Sequence, residues 1–274
     1  MTSYLEQFHY QLYGPENGRK WIFLHGLMGS AANWRKIISG LQQTERILAF
    51  DQRGHGRSFK PENGYASEDY AQDVYQISEE LKWDKFILVG HSMGGRNAMI
   101  FAHKWPQKLE KLVIVDIGPE GKLTAIKYYQ QLFDSIPTPF ESKLAAKEFF
   151  LNEFKQRFTL AKENVDTLGQ YLYTNIEEKL DGRADWRFDK NAMLLSVSQG
   201  RAKDCWAELR QINVPTLVIR GETSAELSSD EFKRMVASNP RIQGIEIPGA
   251  GHWVHADQPQ KFTEIIKDFA NQAF

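Results

Sequence analysis

"VGHSMGG", residues 89–95, decides how this chain is read. It sets Ser92 between Gly90 and Gly94 in a Gly-x-Ser-x-Gly pattern. The apolar run "KFILVG" (85–90) precedes it, and "GGRNAMIFAHKW" (94–105), with helical spacing, follows it. A serine in that setting occupies a tight strand-to-helix turn. The residues two before and two after must be small, because the turn brings their backbones together. The hydroxyl is then lifted above the end of a sheet, at the positive end of the next helix. A chance match in a glycine-rich turn would lack both flanking elements. Ser92 is therefore the candidate nucleophile.

The same kind of apolar run recurs on both sides. "KWIFLHG" (20–26), "RILAFD" (46–51), "KLVIVD" (111–116), "PTLVIRG" (215–221) and "GIEIPG" (244–249) are rich in Ile, Val, Leu or Phe, and most are apolar at both parities. Strands of a parallel sheet buried on both faces read this way. Helical stretches alternate with them. In 66–83, Tyr70, Val74, Ile77 and Leu81 form a core-facing stripe, and 258–272 reads similarly. The expected fold class is α/β, a mostly parallel sheet with helices on both faces. "QFHYQLYG" (7–14) with the turn "PENGRK" is expected to form an antiparallel edge hairpin.

Residues 119–213 break the alternation. They present only helical patterns, at 122–135, 140–154, 162–180 and 188–199, and no strand. The expected organisation is a core of 1–118 and 214–274 with a helical cap inserted at 119–213. Its aromatic residues Tyr128, Tyr129, Phe133, Phe149 and Phe150 are expected in the core of that cap. The chain shows no internal repeat and no low-complexity segment.

Composition narrows the function classes. The chain has 274 residues, 42% hydrophobic and 25% charged, with a formal net charge of −1. Nothing here suggests a nucleic-acid or anionic-membrane partner, which would need a basic patch. No apolar stretch approaches the roughly 20 residues that span a bilayer. The polar N-terminus lacks the pattern of a signal peptide. The single cysteine, Cys205, allows no internal disulfide and is expected to be a packing or surface residue. A cytoplasmic protein is expected. The histidines show no paired metal-ligand spacing, so no metal and no cofactor are expected.

Two further loops carry chemistry. "FLHGLMGS" (23–30) leaves a buried strand, and the Leu27 N–H is placed to meet a developing oxyanion together with the Met93 N–H. Met28 and Trp253 are expected beside the acyl pocket, and His25 as a brace of its loop. "PGAGHWVHADQP" (248–259) follows the last strand, and its His252, flanked by bendable glycines, is the candidate general base, with His255 as its rival. Asp51, Arg53 and His55 of "FDQRGHGRS" (50–58) read as residues that satisfy a tight strand exit.

Elbow, oxyanion loop, "DQRGHGRS" and terminal histidine, in this order, resemble the α/β-hydrolase superfamily over nearly the whole chain. "HGLMGSAANW", "GHSMGG", "VDIGP" and "GAGHWVHADQP" are most similar to the small serine esterases of the YbfF type and their mitochondrial relatives. That resemblance implies hydrolysis of acyl esters, and for some members acyl thioesters. It implies Ser92 as nucleophile, His252 as base, and Leu27 and Met93 as oxyanion donors.

One departure stands out. In many members of the superfamily a carboxylate sits three or four residues after the glycine that ends the "PTLVIRG" strand. Ser224 and Ala225 occupy those places here. The carboxylate candidates are Glu222, Glu226, Asp230 and Asp116. Glu222 follows the strand too closely. Asp230 lies in the first turn of a helix behind a Ser228–Glu231 capping pattern. Glu226 remains the alternative. Asp116 ends the strand beside the nucleophile strand, on the side of the histidine loop, and is the expected acid. Haloalkane dehalogenases place theirs at that strand end.

The expected activity is a serine carboxylic-ester hydrolase acting on a short to medium acyl ester, with an acyl-serine intermediate. A C–C bond hydrolase or lyase using the same three residues is the alternative. A ligand-binding receptor on the same fold is a third reading, opposed by the intact serine and histidine.

Overall fold

The computed structural model describes residues 3–161 and 164–273. Met1, Thr2 and Phe274 lie outside the described residues, as do Lys162 and Glu163 at the head of the helix expected over 162–180. In chain order the first half comprises β1 (Tyr10–Tyr13), β2 (Lys20–Leu24), α1 (Arg35–Leu41), β3 (Arg46–Phe50), α2 (Ser67–Glu80), β4 (Phe86–His91), α3 (Met93–Lys104) and β5 (Leu109–Val115). Then come α4 (Thr124–Asp134), α5 (Lys143–Asn152), α6 (Phe154–Arg157), α7 (Val165–Thr174), β6 (Ile176–Glu178), β7 (Ala184–Trp186), α8 (Lys190–Gly200) and α9 (Trp206–Gln211). The chain closes with β8 (Thr216–Gly221), α10 (Ser229–Ala237), β9 (Ile242–Ile247), α11 (Val254–Asp257) and α12 (Pro259–Asn271).

Seven strands form one sheet in the order β1-β3-β2-β4-β5-β8-β9, parallel except for β1. The two-residue period of a strand sends alternate side chains to opposite faces. In β4, Phe86 and Leu88 join one apolar layer with α2 and α3, and Ile87 and Val89 join the other with α1 and α12. Leu112 and Ile114 of β5 enter the first layer, and Val113 and Val115 the second. Burial on both faces explains why these strands are apolar at both parities. Among the described residues no helix is long and apolar enough to cross a membrane.

Two expectations about strands are corrected. β1 is an antiparallel edge strand, but it forms no hairpin with β2. It pairs with β3, Tyr10 opposite Phe50 and Tyr13 opposite Ile47, because β3 lies between β1 and β2. The segment 119–213 is also not purely helical. The helix at its centre ends at Thr174, and β6 and β7 form an antiparallel hairpin with Ile176 opposite Trp186. Asp181-Gly182 lies in its turn, with Gly182 at φ 83°. A glycine reaches that conformation without a Cβ clash, and an Asp-Gly pair is a sequence signal for such a turn.

Between β5 and β8 the inserted elements build their own apolar cluster. Phe133, Phe149, Phe150, Phe154, Trp186 and Phe188 are buried in it, and Leu27, Met28 and Trp253 reach it from below. Cys205 is buried beside Met99 in the layer of α2 and α3, and burial pushes its thiol up to about 11.

Candidate active site

Ser92 stands between β4 and α3 with φ 52° and ψ −119°, a conformation costly for a residue bearing a Cβ. The glycines on either side make it attainable. A Cβ on Gly90 would lie 2.2 Å from the Gly94 carbonyl oxygen, and one on Gly94 would lie 2.6 Å from that of Leu24. The Ser92 N–H donates to the Val115 carbonyl at 2.9 Å, which ties the turn to the end of β5.

His252 follows β9. Its Nε2 is 3.0 Å from Ser92 Oγ, and its Nδ1 is 2.8 Å from Asp116 Oδ2. Since a carboxylate only accepts, Nδ1 carries the proton and donates to Asp116, and Nε2 is left to accept from the serine hydroxyl. Asp116 is fully buried, and it too has a positive φ, 51°. Its Oδ1 accepts the Gly221 N–H at 2.9 Å, and its Oδ2 also accepts the Ser224 hydroxyl. Ser224 thus occupies the place where the acid is usual in the superfamily and donates a hydrogen bond to the Asp116 carboxylate one strand over. Sequence reading registered only that Ser224 carries no charge. Its position beside the strand end was the available signal for a role as donor.

The other acidic candidates point elsewhere. Glu226 Oε2 pairs with Arg201 Nη1 at 3.1 Å, and Glu222 Oε2 accepts the Gly249 N–H at 2.8 Å. Asp230 lies in the first turn of α10, whose cap is the Ser228 hydroxyl. His255 is buried against Trp34, with ring centroids 4.4 Å apart, and burial lowers its pKa to about 3.

The loop after β2 closes onto the elbow. A Cβ on Gly26 would lie 2.8 Å from His91 Nδ1 and 3.2 Å from Ser92 Cβ, so only glycine allows this approach. Tyr171 donates to the Leu27 carbonyl at 2.8 Å, and Met28 takes a φ of 61°. Among the described residues neither the Leu27 N–H nor the Met93 N–H donates to a protein acceptor. His25 braces the loop: its Nε2 accepts the Gln52 N–H at 2.9 Å, so its Nδ1 donates to the Gly26 carbonyl at 2.8 Å. Asp51 accepts the Ala31 and Arg57 N–H groups at 2.8 and 3.0 Å, Arg53 pairs with Asp73, and His55 Nδ1 lies 2.9 Å from the Arg53 carbonyl oxygen.

His91, next to Ser92, was not singled out from sequence. Its Nε2 donates to the His252 carbonyl at 2.9 Å, which ties the histidine loop to the elbow. Burial first, then the neighbouring His252 and His255, hold its pKa well below the usual histidine value.

Two cavities meet at Ser92. One runs between α3 and α8. The other contains Met28 and Trp253 together with His252. Phe133, Phe149 and Phe150 stay in the apolar cluster of the insertion, but Tyr128 and Tyr129 line the second cavity, which corrects the expectation that they are core residues. Among the described residues no group of three or more His, Cys, Asp or Glu side chains is arranged to hold a metal ion.

Comparison with known proteins fits this geometry. The family model described as alpha/beta hydrolase fold matches residues 22–259. The chain belongs to the alpha/beta hydrolase family. This hydrolase is 32% identical over 260 residues to the sn-1-specific diacylglycerol lipase ABHD11 of Mus musculus, a match covering 90% of this chain and 80% of the mouse protein. It is 26% identical over 253 residues to the 2-(acetamidomethylene)succinate hydrolase of Mesorhizobium japonicum, covering 92% and 88% of the two chains. The solved structure of an esterase from a marine microorganism superimposes with a TM-score of 0.81 at 29% identity, covering 96% of this hydrolase and 98% of that chain.

Proposed function

We propose that this hydrolase is a serine carboxylic-ester hydrolase for short to medium acyl esters, with residues 119–213 as a cap over the site. The observation that carries the reading is the unbroken path from Ser92 Oγ to His252 to the buried Asp116 carboxylate, opening onto two cavities.

Ser92 Oγ attacks the ester carbonyl carbon while His252 Nε2 takes the hydroxyl proton. Asp116 holds the imidazole in the required tautomer and stabilises the imidazolium. The Leu27 and Met93 N–H groups receive the oxyanion, each contributing roughly 3–4 kcal/mol to the transition state. His252 then protonates the departing alkoxide. Water, deprotonated by the same nitrogen, hydrolyses the acyl-serine and releases the acid. No step calls for a cofactor.

The likeness to an esterase and to a lipase supports ester cleavage. The second reading is a C–C bond hydrolase or lyase using the same residues, and the substrate in the name of the 2-(acetamidomethylene)succinate hydrolase carries no ester. Rapid mixing with p-nitrophenyl butyrate separates the two. An ester hydrolase releases p-nitrophenol in a reaction that Ser92→Ala abolishes; absence of release, in protein that is folded, rejects this reading.

A further inference from the structure

The smaller cavity beside Ser92 is lined by two guanidinium groups. Arg96, on α3, is 4% exposed and lines it. Its guanidinium donates to the carbonyls of Gly200, Gly118, Glu120 and Lys203 at 2.7–3.1 Å and makes no ion pair among the described residues. Arg201, just beyond α8, lines the same cavity, with its side chain 11% exposed. Its Nη1 pairs with Glu226. Its Nε is buried and has no acceptor among the described residues.

Arg96 has carbonyl acceptors for its donors and the buried Glu231 carboxylate near it, whereas Arg201 keeps an N–H with no acceptor among the described residues. A buried N–H left without an acceptor is costly, and a ligand oxygen placed against it offsets that cost. With Nη1 committed to Glu226, the Nε–Nη2 edge of Arg201 remains, and this is an edge on which a guanidinium grips a carboxylate through two parallel hydrogen bonds. Ser92 lines the same cavity, and Leu27, Met93 and Val197 supply its apolar walls, suited to a short methylene chain.

We propose that this cavity is an acidic-acyl subsite: it takes an acyl group that ends in a carboxylate, as in the monoester of a short dicarboxylic acid, and Arg201 determines that specificity. The inference rests on the ester-hydrolase reading for its chemistry, but its binding part can be measured without turnover.

Two measurements test it. The first compares aryl butyrate with aryl hemisuccinate, and aryl hexanoate with aryl hemiadipate, chains matched in length. The acidic member of each pair is expected to show a KM at least about tenfold lower, the scale of one charge-assisted pair of hydrogen bonds, with kcat little changed. The double variant Arg201→Met/Glu226→Gln removes both charges of the pair together. It should erase the preference, read as the ratio of the acidic to the neutral KM within the variant, with the fold checked by circular dichroism. Equal KM values in the wild type, or a preference that survives in the double variant, overturns the proposal. The second is calorimetric binding of ethyl hydrogen succinate and ethyl butyrate to Ser92→Ala, which reads the subsite even if ester turnover fails. Tighter binding of the hemiester, lost when the two charges are also removed, supports the subsite; equal binding overturns it. A preference for an acidic alcohol portion in place of an acidic acyl portion overturns its assignment to the acyl side.

Discussion

His252 Nδ1 and Asp116 Oδ2 stand 2.8 Å apart, joined across 136 positions of sequence. The contact exists because β5 and β8 are neighbours in the sheet and the histidine loop crosses above them. The Asp116 N–H donates to the Ile219 carbonyl at 2.8 Å, and the Gly221 N–H returns a hydrogen bond to the carboxylate. Both anchor Asp116 to β8, the strand after which many other members of the superfamily carry their acid.

Replacement of the acid is expected to separate the two carboxylate candidates. Asp116→Asn leaves the shape but disturbs the tautomer of His252, and turnover should fall by about 10³–10⁴, the handicap known for the same change in a serine protease triad. Glu226→Gln should alter simple-ester turnover by no more than about threefold, a small energetic change. Steady-state kinetics with p-nitrophenyl butyrate, alongside circular dichroism, decide it, and a larger effect from Glu226 reverses the assignment.

Ser92→Ala is expected to abolish both ester turnover and labelling by a fluorophosphonate. The thermal midpoint should hold, because alanine keeps the Cβ and the change removes only the hydroxyl and its contact with His252 Nε2. Residual turnover above a few per cent of wild type would exclude the serine mechanism.

Ser224→Ala removes one donor from the buried Asp116 carboxylate. We expect a loss of about tenfold in kcat, the scale of one hydrogen bond to a charged group. The pH profile of kcat should move with it, a change that a purely structural role would not produce. Ser224→Thr, which keeps the hydroxyl, should restore most of the rate; an unmoved pH profile removes Ser224 from the machinery.

Chain-length preference follows from enclosure. The two cavities at Ser92 are walled in part by Tyr128, Tyr129, Leu132, Leu168, Tyr171 and Val197, large side chains from the elements between β5 and β8. Rates across a p-nitrophenyl ester series should peak at short to medium acyl chains. A steady rise toward long-chain triglyceride emulsions would contradict a closed pocket.

Acid should destabilise the fold through its buried histidines. Burial depresses the folded-state pKa of His25, His55, His91 and His255, that of His255 to about 3. The unfolded chain binds these protons near pH 6.5, so the stabilising difference is present above that pH and is lost as pH falls toward the folded values. Each histidine still neutral in the fold contributes a loss of about 1.4 kcal/mol per pH unit below 6.5. Thermal melts from pH 7.5 to 4.5 should steepen accordingly, and His255→Phe, apolar and stacked on Trp34, should flatten the slope. An unchanged slope would mean that His255 takes no part.

Much of this protein was readable along the chain. A strand buried on both faces must be apolar at both parities, so β2 to β5 and β8 announced themselves, and a serine between two glycines at a strand-to-helix turn has few other reasons to exist. Those are local constraints, written in consecutive residues. What the tertiary structure alone decided depends on which distant strands become neighbours. β1 pairs with β3, not with its sequence neighbour β2, because strand order is set by how the layers cover the sheet and not by the turn between them. Tyr128 and Tyr129 differ from Phe133 in which side of one helix faces the cavity. The hydrogen bonds of Ser224 and His91 and the buried Nε of Arg201 likewise arise only when β5, β8 and α8 bring their ends together. Sequence placed the serine and the histidine loop at one sheet edge; the distances that join them to Asp116 come from packing, since hydrogen bonds between residues more than a hundred positions apart leave no periodic trace in the chain.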